Sequence, residues 1–183
     1  CGTAPVVMVN ETYHEDMSPE RLDEVLASGQ PDFPFCICWA NENWTRRWDG
    51  QDKDILIAQQ YSPAADTRLI TDLAPLFRDP RYIRIGGRPL LVVYRANLLP
   101  DPRASAARFR EQARREGVED LYLAFVHVPG MASPADWGFD SGLEFPPHNL
   151  EVADLTPQME DVDPQFQGKV WDYVYSARAS IAR

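Results

Sequence analysis

The chain reads as an α/β fold in which parallel strands alternate with helices, and three observations point to it. Short apolar runs, bounded by proline or glycine and too short for helices, alternate with segments of helical periodicity. Their order of strand, helix, strand, helix, strand, turn, strand is that of βα units. Polar and aromatic residues gather directly after the runs, where the C-terminal ends of parallel strands hold ligands. The strands that can be read are too few for the eight of a closed barrel, which takes about 250 residues. The sheet is therefore either open or part of a barrel.

Taken in order, Pro5 to Val9 predicts a short strand. Ser18 followed by Pro19 opens a helix as N-cap and first helical residue, Leu22, Val25 and Leu26 give it an apolar stripe, and Gly29 ends it. Phe33 to Trp39 predicts a strand buried on both faces. Asp54 to Ala58 is a weaker strand, followed by Gln59, Gln60 and Tyr61. A helix from near Ala64 to before Asp79 carries Leu69, Ile70, Leu73, Leu76 and Phe77 on one face, with Pro75 expected to kink it or end it early. Tyr82 to Ile85 and Arg88 to Tyr94 predict a hairpin, because Gly86 and Gly87 tolerate the positive φ of a tight turn. A helix starting around Asp101 and Pro102 runs to Glu116 with Phe109 and Ala113 inward and Gly117 as its stop. Leu121 to Val128 is the next strand, Ser133 and Pro134 cap a helical turn, and Gly142 to Phe145 is a brief strand. Residues 149–167 are acidic and without periodicity, and Val170 to Tyr175 forms a last helix or strand.

Composition bounds the function. With 183 residues, 44% of them apolar and 11% aromatic, the chain can bury a core, and its net charge of −10 opposes nucleic-acid or anionic-membrane partners. No run approaches the roughly 18 apolar residues of a transmembrane helix. The N-terminus lacks a signal-peptide layout, so the expectation is a soluble, cytoplasmic protein. The first residue is Cys1 and not Met, so a processed chain or a fragment is expected. Cys36 and Cys38 lie two apart on one strand face without disulfide geometry and read as reduced, buried, small hydrophobes. Phosphate-loop, Cys-x-x-Cys, His-Glu-x-x-His and Gly-x-Ser-x-Gly motifs are absent, so no cofactor and no metal has support.

The stretch from Phe35 to Gly50 is the richest in chemistry. Between Trp39 and Asp49 it holds Trp39, Trp44 and Trp48, three of the chain's five tryptophans, with Asn41, Glu42, Asn43, Arg46 and Arg47. Tyr94 and Arg95 follow a second strand, His127 ends a third, and Glu144 and His148 follow the last. Aromatics, carboxamides, arginines and isolated carboxylates suit a sugar: rings stack on its C–H face while Asn, Arg and Glu bond its hydroxyls. Glycosidic chemistry needs two carboxylates across the bond, roughly 5 to 9.5 Å apart, and Glu42 and Glu144 are the two glutamates at strand ends. Other readings stay open. Trp44 and Trp48, four apart, equally serve to pack a loop on the core. Arg46 and Arg47 equally pair with Asp49 and Asp52, and His127 equally serves as a hydrogen-bonded core residue.

The run Pro34-Phe-Cys-Ile-Cys-Trp-Ala-Asn-Glu-Asn-Trp-Thr-Arg-Arg-Trp-Asp-Gly50, followed by Ile57-Ala-Gln-Gln-Tyr61, resembles the signature of the WbsX family. These are bacterial proteins of O-antigen and surface-polysaccharide clusters, with a domain similar to glycoside hydrolase family 99. Phe77 to Ile83, Gly87 to Leu90 with Tyr94-Arg95, and Gly138 to Asp140 with Glu144 to Pro147 also look like the family, so the resemblance covers roughly 22–148. It implies a (β/α)₈ TIM-like barrel, present here in part, and a glycan substrate acted on by glycosyl transfer or endo-hydrolysis. Residues 1–20 do not look like the family's N-terminal segment. A family stretch resembling Asn-Glu-Trp-x-Glu-Gly, whose glutamates are the acid/base pair implied by analogy with family 99, has no equivalent before Arg183. The expected organisation is an atypical segment over 1–20, a partial barrel over 21–148 and an acidic continuation of it over 149–183. Part of the catalytic apparatus would lie outside the chain. The same residues also admit a non-catalytic glycan-binding or scaffolding protein, or an inactive truncated fragment.

Overall fold

The computed structural model describes residues 7–9, 12–14, 24, 26–29, 32–46, 51–127, 130–144, 154–160, 163, 166 and 168–181. These fall into two units, Cys1–Phe35 and Cys36–Arg183. In the first, β1 (Val7–Val9) pairs antiparallel with β2 (Thr12–His14). Glu24, Leu26 and Ala27 are helical, and Gly29 follows at φ 68°, the left-handed position that favours glycine after a helix. Ser18 and Pro19, expected to open that helix, lie outside the described residues.

The second unit is built on a sheet of five strands. β3 (Ile37–Trp39), β7 (Arg88–Val93), β8 (Tyr122–His127) and β9 (Ser141–Glu144) are parallel and lie side by side in chain order, and β6 (Arg84–Ile85) pairs antiparallel with β7. Two helices cross between the first three parallel strands: α1 (Pro63–Phe77) and α2 (Pro102–Arg115). Both begin the same way. Ser62 accepts the Ala65 N–H and Asp101 the Ala104 N–H, each with proline at the next position, so an otherwise unsatisfied amide of the first turn is capped. The helices are joined by Arg108 and Asp66, 2.7 Å apart, with Asp66 only 2% exposed.

Strand alternation divides the sheet into two faces. Register places Trp39, Val93 and Phe125 on one of them, and Trp39 meets Phe109 of α2 edge-on at 6.2 Å, so this is the face the helices cover. Leu91, Val93, Leu123 and Phe125 are buried there with Ile70, Ala74 and Phe77 of α1 and Ala106, Phe109 and Ala113 of α2. Each large apolar side chain so buried contributes about 1.5–3 kcal/mol. The opposite face carries Leu90, Val92, Ala124 and Val126, with Cys36, Tyr94 and Tyr122 against them.

Several expectations are corrected. β3 is only three residues long and is not buried on both faces; Cys38 is exposed and Cys36 half-buried. β3 is held instead by side chains: the Tyr82 hydroxyl accepts the Ile37 N–H at 3.1 Å and donates to the Leu90 carbonyl at 2.9 Å. Burial pushes that phenol up, well above the ordinary tyrosine value. The stretch after β3 contains a strand, β4 (Trp44–Arg46), which folds back antiparallel on β5 (Gln51–Ile57) with irregular register. α1 runs through Pro75 to Phe77, because a proline in the last turn forfeits one intrahelical bond while Phe77 beyond it is buried. The hairpin over 82–94 forms as expected, with Gly86 at φ 57° and Gly87 at φ 80°. The helical turn after Ser133 spans Pro134–Trp137, and α3 (Tyr173–Ile181) takes the place of the last helix or strand.

Candidate functional site

The C-terminal ends of β3 and β7 are tied together by one side chain. Asn41, two residues beyond β3, is fully buried, and its Oδ1 accepts the Arg95 N–H at 2.7 Å while its Nδ2 donates to the Arg95 carbonyl at 2.9 Å. Nδ2 also reaches the Tyr61 hydroxyl at 3.4 Å, and that hydroxyl donates to the Asn41 carbonyl. The Trp39 carbonyl accepts both the Asn41 and Tyr94 N–H groups at 3.0 Å. A buried carboxamide whose two amide hydrogens are both donated positions its neighbours and has little left for a ligand. Asn41, expected as a sugar contact, therefore serves here as the clamp that fixes the backbone of Arg95.

Around that clamp stand the groups that remain available. Glu42 is half-buried, and Arg95 is half-buried with its Nε enclosed and without a hydrogen-bond partner. Both act on the Tyr61 hydroxyl. Burial pushes the Tyr61 phenol up; the Asn41 hydrogen bond and the Arg95 charge pull it down, and the Glu42 carboxylate pushes it up again. Asn43 accepts the Gln59 N–H at 2.8 Å and pins the exit of β5 to the same loop. Trp39 is half-buried between Tyr61, 6.4 Å away, and Phe109. Trp44 does not pack on the core: it is 63% exposed at the start of β4, opposite Ile57, which is 64% exposed. Arg46 pairs with Asp54 at 3.5 Å.

A second group forms at the ends of β8 and β9. His127 and Glu144 are register partners, so their side chains lie on the same face. The imidazole stacks on Phe125 at 6.0 Å. It also lies over Gly142, where an added Cβ would stand 3.2 Å from the His127 Cβ. Glu144 is exposed. Tyr94 belongs to the opposite sheet face, packed at the Leu90–Val126 cluster. Arg47, Trp48 and His148 lie outside the described residues.

The residue that sequence reasoning underrated is Tyr61. Its signal was its place just past a hydrophobic run, but its link to Asn41 spans twenty residues and belongs to the fold.

The N-terminal edge of the sheet has a different character. Asp140 accepts from the Leu123 N–H at 2.8 Å, from Arg88 at 2.9 Å and from Arg110 at 2.8 Å. Burial works to raise its carboxyl, but those three donors outweigh it and hold the group below the ordinary range. Asp120 stands 3.4 Å from Arg88 and 3.6 Å from Arg110. A cavity of about 520 Å³ opens beside this network, lined by Arg78, Arg84 and Arg88. All three arginines are engaged, Arg78 with the Glu116 carbonyl, Arg84 with the Phe77 carbonyl and Arg88 with Asp140, and the cavity is at the sheet edge away from the strand-end groups. We therefore read it as part of the structural edge. Among the described residues no cluster of three or more His, Cys, Asp or Glu side chains could hold a metal, and no helix is long and apolar enough to cross a membrane.

Comparison with known proteins agrees with the signature. The family model for glycosyltransferase WbsX matches residues 16–183. Two curated relatives, both called uncharacterized protein WxcX and drawn from two strains of Xanthomonas campestris pv. campestris, are each 45% identical over 145 residues. That match covers 79% of this chain and 21% of theirs, so the chain spans about a fifth of the length of the curated relatives it matches. No solved structure matches the chain. The chain belongs to the glycosyltransferase WbsX family.

Proposed function

We propose that this member of the WbsX family is part of a carbohydrate-active enzyme of bacterial surface-polysaccharide biosynthesis, working in the cytoplasm by glycosyl transfer or glycosidic hydrolysis. In this reading the strands are consecutive members of a (β/α)₈ barrel, with residues 21–148 as the barrel portion and 149–183 continuing the same domain. What supports the barrel is the sheet order: parallel strands follow one another in chain order with no reversal, and α1 and α2 pack together over one face. An open doubly wound sheet would reverse its order at a switch point.

The observation that carries the glycan reading is the set of uncommitted polar and aromatic groups at the strand ends. Glu42 and Arg95 act on the Tyr61 hydroxyl with opposite charge, and Trp44 presents a bare ring at the start of β4. Hydroxyl-rich ligands with an apolar ring face use such a set, the carboxylate accepting from hydroxyls, the guanidinium donating and the indole stacking. Trp39, Asn43 and His127 are proposed as further contacts, Tyr94 as one from the opposite sheet face, Arg47, Trp48 and His148 by their place in the sequence alone, and Asn41 contributes by holding Arg95.

Glu42 is the carboxylate we assign to substrate or catalysis. Glu144, at the end of β9, is the second candidate carboxylate, and part of the catalytic apparatus is supplied elsewhere in the intact protein. In that protein, Glu42→Gln is expected to lower turnover or glycan affinity at least ~10-fold, as loss of a charge-assisted hydrogen bond does. Unchanged kinetics and affinity would remove Glu42 from the site. The exposed Trp44 ring, with exposed Ile57 opposite it, favours one second reading, a non-catalytic glycan-binding or scaffolding surface. It predicts glycan binding by calorimetry with no bond cleaved or transferred.

A further inference from the structure

Arginines in this fold are committed. From Arg46 to Arg115 every other described arginine holds a carboxylate or a backbone carbonyl: Arg46, Arg68, Arg81, Arg88, Arg108, Arg110, Arg114 and Arg115 face acids, and Arg78, Arg84 and Arg103 face carbonyls. Arg95 is the exception. Its Nε is buried with no partner, and it forms no ion pair with Glu42 although both lie close enough to shift the Tyr61 hydroxyl in opposite senses.

Leaving a charged group without a partner is costly unless something arrives to accept from it, and since the Nε is closed to solvent, what an acceptor can reach is the terminal Nη pair. The fold invests in its position nonetheless. Asn41 holds both the N–H and the carbonyl of Arg95, so the guanidinium leaves a backbone fixed from two sides. A preset planar fork of donors is the geometry that receives an oxyanion in two parallel hydrogen bonds. A bare anion would meet the opposing charge of Glu42. A ligand carrying an oxyanion and hydroxyls together satisfies both groups, the oxyanion on Arg95 and a hydroxyl donating to Glu42.

The geometry points to an acidic sugar as the ligand class, with Arg95 as its oxyanion receptor. The shared chemistry is a sugar ring bearing a carboxylate or a phosphate. This assignment rests on the glycan reading above and narrows it.

The test uses the intact protein and matched probes: methyl galactoside against methyl galacturonide, methyl glucoside against methyl glucuronide, and the two hexose 1-phosphates, titrated by NMR. At least one acidic probe is expected to bind ~10-fold or more tightly than its neutral counterpart. The ratio should collapse to about one in Arg95→Gln and survive in part in Arg95→Lys. Preference for the uronides alone identifies a carboxylate, and preference for the 1-phosphates a glycosyl phosphate. The anchoring hydrogen bonds come from the Arg95 backbone, so the substitutions leave them in place, and an unchanged unfolding midpoint checks this. Equal affinity for acidic and neutral sugars, or a preference that persists in Arg95→Gln, overturns the assignment while leaving the glycan reading standing. No binding by any probe sinks both.

Discussion

At the N-terminal edge of the sheet, Arg88, Arg110, Asp120 and Asp140 face one another across the starts of β7, β8 and β9. At the C-terminal edge, Glu42 and Arg95 stand near the same tyrosine and do not pair. Both edges are polar and half-buried, and β7 runs from one to the other. The difference is commitment: one edge spends its charges on holding strand ends in register, while the other keeps a cation and an anion apart on a fixed backbone. In parallel α/β folds the first behaviour marks stability and the second recognition. Among the described residues, a cavity lies by the committed edge.

Asp140→Ala removes the acceptor shared by Arg88, Arg110 and the Leu123 N–H, and is expected to destabilise the fold by about 2–4 kcal/mol in chemical denaturation. Glycan affinity of the molecules that remain folded should change little. The pH dependence sharpens this. Asp140 is held below its ordinary value when folded, so its contribution is complete above the unfolded carboxylate range and is lost as pH falls through the lower, folded value. Acid unfolding followed by circular dichroism should therefore show a stability loss below about pH 4, with a shallower slope in Asp140→Asn.

Asn41 belongs to both edges' logic, since it is buried for structure and holds the group kept for a ligand. Asn41→Ala leaves the Arg95 N–H without a partner and the Arg95 carbonyl with the Leu98 N–H alone, and is expected to cost about 2 kcal/mol in stability. It should also weaken glycan binding in proportion to the freedom Arg95 gains. Asn41→Asp keeps an acceptor for the Arg95 N–H but sets a carboxylate against the Arg95 carbonyl, and should fall nearly as far. A stable Asn41→Ala with native affinity would show that the clamp is dispensable.

A smaller effect is expected at β9. Gly142→Ala places a methyl 3.2 Å from the His127 Cβ, so the imidazole must shift from its stack on Phe125. About 1 kcal/mol of destabilisation, with moved His127 ring resonances by NMR, is the expected outcome. Unmoved resonances would mean that β9 itself yields.

Much of the frame was legible in the sequence because its signals are local. Gly86 and Gly87 announced a turn that only positive φ can make, and Pro102 after Asp101 announced a helix start. β4 was hidden, since three residues inside a polar stretch become a strand only by pairing with residues 51–57, with irregular register. Pro75 misled because a proline's cost depends on how many turns follow it, and here the helix was about to end. At the site, the strand-end location of Glu42, Tyr94 and Arg95 was legible. Roles within it were not: a carboxamide beside a glutamate looks alike whether it bonds a sugar or a backbone. The partner that decides, Arg95, is 54 residues away.

On the function proposed above, Glu42 is held for a ligand while Asp140 is held for the fold. Measuring glycan affinity and unfolding free energy side by side for Glu42→Gln and Asp140→Asn in the intact protein tests it most directly. The expected result is an affinity loss of at least ~10-fold with stability within about 0.5 kcal/mol for Glu42→Gln, and the opposite pattern for Asp140→Asn. Native affinity with reduced stability in Glu42→Gln would contradict it.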